Sequence, residues 1–301
     1  MYNIPSIAAE PRNLEDWRNY VRTVATRYKG KIRYYEIWNE PNLKGFYTGS
    51  IDKMLELSRE AYLVLKAVDP AIVVVSPSAT LPNRSSAQAG IGGPRWLEQY
   101  LAKGGGNYAD VIGFHFYTGQ LELESSLVPL VRQVQTIMAR HGQSRKPLWD
   151  TELGFGSLED GLLSDEVGRA YVARSCLVHW ALGVSRFYWY AWDNFNFVGL
   201  RLVNEDRKTP TAAAQAYIEI QRWLVGAAMP DYRVTLDDTW ICRITRPGGY
   251  SGWVVWNPHG PTALEIPPAW NVRQVRDLSG QRRPLTAQQL EIGQTPLLLE
   301  R

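Results

Sequence analysis

The chain has 301 residues, an ordinary apolar content and a formal net charge of +3, which suits one large barrel-type domain or one domain with a small appendage. Its basic residues are scattered, which argues against a nucleic-acid or anionic-membrane surface, and it has no apolar run of the roughly 18 residues that a membrane span needs. Cys176 and Cys242 show neither CxxC spacing nor a Cys/His cluster, so no metal or cofactor is expected and no disulfide is supported.

In chain order, "MYNIPSIAAEPRN" lacks the basic start and apolar core of a signal peptide. Residues 13–28 carry apolar residues at helical spacing behind a capping Asn13. "KIRYYEIW" (31–38) reads as a strand, 51–67 as a helix stopped by "DP", and "AIVVVSP" (71–77) as a strand buried on both faces. A helix over 94–103, a strand over 110–117, a helix over 125–142 and a strand over 146–154 follow. A helix over 165–183, the strand "SRFYWYAWDN" (185–194) and a helix near 209–225 complete the alternation. Strand followed by helix at this spacing means βα units and a parallel sheet. Beyond about residue 230 short strands alternate with Gly, Pro and Asp turns, so the expected division is a barrel over 1–228 and a small β-rich domain over 229–301.

Two glutamates sit at strand ends beside turn chemistry. Glu40 follows "YYEIWN" and precedes a proline, and Glu152 in "PLWDTELG" precedes a turn glycine. A lone glutamate in such a place is an ordinary loop-end carboxylate. Here three βα units separate the two, and strands n and n+3 face each other across the mouth of an eight-stranded barrel. Paired carboxylates over a cleft suit glycoside hydrolysis, one protonating the leaving oxygen and the other attacking the anomeric carbon or activating water.

"WNEPN" followed by "TELG" resembles the clan A glycoside hydrolases, retaining (β/α)8 enzymes. The fuller pattern "RYYEIWNEPNLKGFYTGS", "DPAIVVVSPSAT" and "GFHFYTG" resembles family 39 and its relatives, over about residues 10–226. The resemblance implies Glu40 as acid/base and Glu152 as nucleophile. It implies Asn39 as the partner of the sugar 2-hydroxyl, and His115 and Tyr117 as site residues, with Tyr117 bonded to the nucleophile. Trp192, or failing that Trp189, would form the platform under the sugar, with Asp193 and Asn194 reaching distal hydroxyls. Trp38 and Trp149 read as barrel packing. The mechanism requires Glu40 to carry its proton near neutral pH while Glu152 is ionised, and to act as base once Glu152 is glycosylated. The tail with "VRDLSG" and "TPLLLE" resembles the β-sandwich-like domain of those enzymes.

Against that pattern the fold reads as an α/β, (β/α)8 TIM-barrel type, apparently incomplete. At about 37 residues per unit, three units before Glu40 would need roughly 100 residues, yet only 30 precede Lys31. Strands 4–8 are present and strands 1–3 have no counterpart, through truncation or as a natural reduced barrel. With no leader in these residues, localisation is unassigned. The substrate is expected to be a β-linked neutral glycan, since Lys44 and Arg201 are the nearby basic candidates for a uronate. The alternatives are an inactive carbohydrate-binding relative and a half-barrel assembly partner. The open edges over 31–38 and 186–191, rich in aromatics, point to a homo-oligomer, most simply a dimer using residues 1–12 and 31–38. A monomer with its first dozen residues folded over the gap is the other outcome.

Overall fold

The computed structural model describes residues 8–82, 90–119, 121–155, 163–196 and 198–301. Residues 1–7, most of the segment expected to cover the open edge, lie outside it. The chain forms two compact units. The first comprises Met1–Thr118, Pro129–Leu153 and Val184–Tyr188, and the second comprises Gly119–Val128, Gly154–Gly183 and Trp189–Arg301.

The first unit is built on a parallel run. Strand β1 (Tyr34–Glu36) pairs in register with β2 (Val73–Val75), and an isolated bridge joins Asn39 to Ser78. The second strand continues as β3 (Ala79–Thr80), which pairs in parallel with β4 (Ile112–His115), and β4 in turn with β5 (Leu148–Leu153). Next to β5 lies β6 (Arg186–Trp189). Among the described residues this gives five strand positions, counting β2 and β3 as one interrupted strand. Val75, Val111 and Trp149 pack as an apolar cluster between three of them, so Trp149 is a packing residue.

Helix α1 (Leu14–Arg27) starts where Asn13 accepts a 2.8 Å hydrogen bond from the Asp16 N–H, satisfying one of the free donors of the first turn. Ser50 does the same for α2 (Ile51–Val68). The Trp17 indole N–H donates to the Leu57 carbonyl at 2.9 Å, which fixes α1 on α2. Trp38 packs against Trp17 and Tyr47. Helix α3 (Gly93–Ala102) lies against β3, and α4 (Leu123–Arg140) precedes β5.

In the second unit α5 (Asp165–Ala181) is buried on nearly every face from Gly168 to His179 and packs on α6 (Ala212–Leu224). From residue 228 the chain is all β. Strands β7 (Ala228–Val234), β8 (Trp240–Arg246), β9 (Tyr250–Trp256), β11 (Gln274–Arg276), β12 (Arg282–Pro284) and β14 (Leu297–Glu300) form one sheet in the order β12-β11-β14-β9-β8-β7. Strands β10 (Thr262–Glu265) and β13 (Gln289–Ile292) pair separately. Ile241, Trp253, Val255, Ile266, Val275, Leu290, Ile292 and Leu299 form its core, as alternation along paired strands requires. Cys176 and Cys242 are buried free thiols. No described helix is long and apolar enough to cross a membrane.

Candidate active site

The ends of three strands of the first unit bring Glu40, His115, Tyr117 and Glu152 together. An oxygen of Glu40, a ring nitrogen of His115 and an oxygen of Glu152 all lie within 4.8 Å of one another. Glu40 follows β1 in the left-handed region, at φ 43°, although it is not glycine and precedes Pro41. Its N–H donates to the Ser78 carbonyl at 2.9 Å. Asn42, two residues on, is buried. It donates to the carbonyls of Thr80 at 2.9 Å and Ile91 at 3.0 Å, and accepts from the Thr80 N–H at 3.0 Å. The turn that aims the Glu40 carboxylate is thus tied to the next strand by side chain and backbone.

The His115 imidazole is 1% exposed. Its Nδ1 lies 3.0 Å from Glu40 Oε1, and its Nε2 is 3.8 Å from Glu36 Oε1, an ion-pair rather than hydrogen-bond distance. Burial opposes a charge on this ring. The carboxylates of Glu36 and Glu40, with the charge of Glu152, outweigh that and push its pKa up to about 10. The surrounding carboxylates thus favour the protonated ring, with Nδ1 at hydrogen-bond distance from Glu40.

Tyr117 donates its hydroxyl to Glu152 Oε1 at 3.0 Å. Burial, then the charge of Glu152, pushes the phenol pKa upward, so it remains a donor. Burial also pushes the Glu152 carboxyl above its ordinary range; the His115 cation pulls it back, while the Glu40 charge adds to the rise. The backbone N–H of Glu152 donates to Asp150 Oδ1 at 3.2 Å, so a fully buried carboxylate anchors the residue from behind.

Of the other expected site residues, Asn39 is exposed and makes no side-chain hydrogen bond among the described residues. Trp192 and Asp193 belong to the second unit. Both are exposed, the Trp192 ring by 55%, and the Trp192 carbonyl accepts from the N–H groups of Leu202 and Val203. Sequence reasoning missed Glu36, Ser78 and Thr151. Thr151 donates to Glu36 Oε1 at 3.2 Å and shares a 2.9 Å hydroxyl hydrogen bond with Ser78. The available signal was a carboxylate in the middle of an aromatic strand, in "YYEIW".

The family model for glycosyl hydrolases family 39 matches residues 5–175, more than half of the chain. A curated relative, a beta-xylosidase of Caldicellulosiruptor saccharolyticus, is 32% identical over 79 residues, which is 24% of this chain and 16% of that protein. Among solved structures, a glucosidase from Croceicoccus marinus aligns with a TM-score of 0.70 at 15% identity, over 99% of this chain and 76% of that one. A family 39 beta-xylosidase from Caulobacter crescentus aligns with a TM-score of 0.63 at 16% identity, over 97% and 73%. At such identities the structural likeness speaks for the fold, a TIM-barrel type accompanied by a β-sheet domain. With the family match covering the strand ends that carry Glu40 and Glu152, the chain belongs to glycosyl hydrolases family 39.

Proposed function

We propose that this protein is a retaining glycoside hydrolase acting on β-linked neutral glycans, of cellulose or xylan type, by double displacement. Glu152 attacks the anomeric carbon while Glu40 donates its proton to the leaving oxygen, which gives a glycosyl ester on Glu152. Glu40 then takes a proton from water, the water oxygen attacks the same carbon, and Glu152 is released. One observation carries the reading. The nearest carboxylate oxygens of Glu40 and Glu152 lie within 4.8 Å, on the side of the retaining spacing of about 5–5.5 Å rather than the inverting spacing of about 6.5–9.5 Å. Asn39 bonds the 2-hydroxyl, Trp192 stacks under the sugar and Asp193 takes a distal hydroxyl. His115 acts through the carboxylates it pairs with. A neutral sugar is favoured because Lys44 is an exposed lysine and the Arg201 guanidinium lies 4.6 Å over the Phe195 ring.

The test is a panel of aryl β-glycosides with the product anomer followed by NMR. Hydrolysis with retention, abolished in Glu152→Gln, is the expected result. Glu40→Ala should lose far more rate on poor leaving groups than on activated aryl ones, since only the former need the proton. Inversion, full activity in Glu152→Gln, or a clear preference for glucuronides would each overturn the part of the reading it touches.

On this reading β1 to β6 supply strands 4–8 of a (β/α)8 barrel, and the chain divides functionally into a catalytic part over 1–228 and a β-rich part over 229–301. Tyr34 and Tyr188, on its first and last strands, are 38% and 43% exposed, and Ile32 is exposed as well. An aromatic patch of this kind is costly in water, which supports a homodimer through residues 31–38. Light scattering after size exclusion should return twice the monomer mass at micromolar concentration. A monomer at every concentration rules the dimer out.

A further inference from the structure

Glu36 has no part in the double displacement, yet it faces the site from the C-terminal end of β1. Two contacts place it. His115 Nε2 lies 3.8 Å from its Oε1, and the same oxygen accepts from the Thr151 hydroxyl at 3.2 Å. Thr151 is the residue before Glu152, and its hydroxyl is also joined to Ser78. One carboxylate oxygen therefore links β1, which leads into Glu40, with the strand that carries His115 and the strand that carries Glu152. The Glu36 side chain is 28% exposed whereas His115 has 2% of its side chain exposed, so the imidazole is a buried ring whose outer nitrogen meets a carboxylate at the solvent margin.

The charged groups around His115 are almost all negative. Glu36 faces it from β1, Glu40 from the turn after β1, and Glu152 from β5. Asp150, also on β5, is turned toward the N–H groups of Phe116 and Glu152, and the Tyr117 hydroxyl caps Glu152. A neutral imidazole donates through one nitrogen only, so it brings no charge to offset Glu36 and Glu152. A doubly protonated ring presents an N–H to Glu40 at 3.0 Å and stands at ion-pair distance, 3.8 Å, from Glu36.

We propose that Glu36 is a positioning residue of this site: its carboxylate holds the His115 imidazole as a cation with Nδ1–H aimed at Glu40, and so supplies the positive charge that Glu152 faces. The inference deepens the hydrolase reading in its kinetic consequence, but its first test does not depend on activity.

That test is the titration of His115 in isotopically labelled protein, followed by imidazole NMR shifts. The chain has four histidines, and the His115 signals are those lost in His115→Asn. In the unaltered protein the ring should stay doubly protonated through pH 8, in line with a pKa pushed up to about 10. In Glu36→Gln its midpoint should fall by at least one pH unit, and in Glu36→Asp by less. An ordinary midpoint near 6.5 in the unaltered protein overturns the proposal without any variant. So does an unchanged midpoint in either Glu36 variant that folds. On the panel of aryl glycosides, Glu36→Gln should move the acid limb of kcat/KM to higher pH, and should move it no further in a His115→Asn background. An added shift in that background would show that Glu36 acts otherwise than through His115. If no glycoside is hydrolysed the function proposed above fails, and the titration still decides the role of Glu36.

Discussion

Glu40 carries its carboxylate on a backbone that L-residues other than Asn and Asp seldom adopt, and its φ of 43° costs on the order of 1–3 kcal/mol. Such strain persists only where the surroundings over-determine it. Here the Glu40 N–H is fixed on Ser78 and the following turn is clamped by Asn42 onto Thr80 and Ile91. The Glu40 carboxyl is 8% exposed and faces Glu152, whose negative charge the His115 side chain offsets. His115 has a folded pKa raised above its unfolded value of about 6.5. Its contribution to stability is fully present below about pH 6.5 and is lost as the pH rises through about 10. Glu152 must be ionised to attack, and burial already raises its pKa against the pull of His115. His115→Asn is therefore expected to flatten the loss of stability between pH 6.5 and 10 in urea melts, and to move the acid limb of kcat/KM upward. A limb that stays in place, or moves down, would show that the imidazolium charge does not bear on Glu152.

Strand β4 shows how closely the elements under the site are packed. A Cβ on Gly113 would stand 2.2 Å from Ser78 Oγ and 2.9 Å from Val75 Cγ1, and Ser78 Oγ is the atom bonded to Thr151. Gly113→Ala is expected to push Ser78 off Thr151 and cost about 1–3 kcal/mol, as overpacking does. In a Ser78→Gly background the cost should shrink, because the obstructing hydroxyl is gone. Equal urea midpoints for Gly113→Ala and the unaltered protein would contradict the close approach. The helices were legible in the sequence because their signals are local: Asn13 and Ser50 are caps three residues from their donors. The strands were legible in kind but not in extent. The strand expected over 31–38 is regular only at Tyr34–Glu36: at its start the N–H groups of Lys31 and Ile32 close onto the Tyr28 carbonyl at the end of α1, and beyond Glu36 the pairing continues as single backbone bonds at Ile37 and Trp38. The run "AIVVVSP" gives Val73–Val75 and resumes at Ala79–Thr80, since Pro77 has no N–H for a ladder. Glu40 and Glu152 stood out because strand-end carboxylates beside a proline or glycine leave a mark in sequence. Glu36, Ser78 and Thr151 did not, because their meeting depends on the register between distant strands, which no local pattern encodes.

The β region after residue 228 closes the second unit by more than apolar contact. The Glu219 side chain on α6 is 2% exposed and pairs with Arg276 on β11 at 2.5 Å, while the Trp223 indole donates to it at 2.8 Å. Glu124, at the start of α4, is buried beside Arg174 of α5 and accepts from the Trp256 indole on β9 at 2.7 Å. A chain ending at residue 228 would keep Glu219 with Arg222 and Trp223, and Glu124 with Arg174, but lose Arg276 and Trp256. It would also lose Arg246, whose guanidinium donates to the Trp223 carbonyl at 2.9 Å. Losing Arg276 costs up to about 3–5 kcal/mol, less what Arg222 still supplies to Glu219, and stranding a buried hydrogen-bonding group costs about 1–3 kcal/mol. Together these rival a typical domain stability of about 5–15 kcal/mol. The chain over 1–228 is therefore expected to lack a cooperative thermal transition and to be cut rapidly by protease within α5 and α6. Glu219→Gln in the full chain should soften the loss of Arg276, so Glu219→Gln with Arg276→Met should be less destabilised than Arg276→Met alone. A chain over 1–228 that melts cooperatively near the temperature of the full protein would show that these buried pairs do not hold the second unit together.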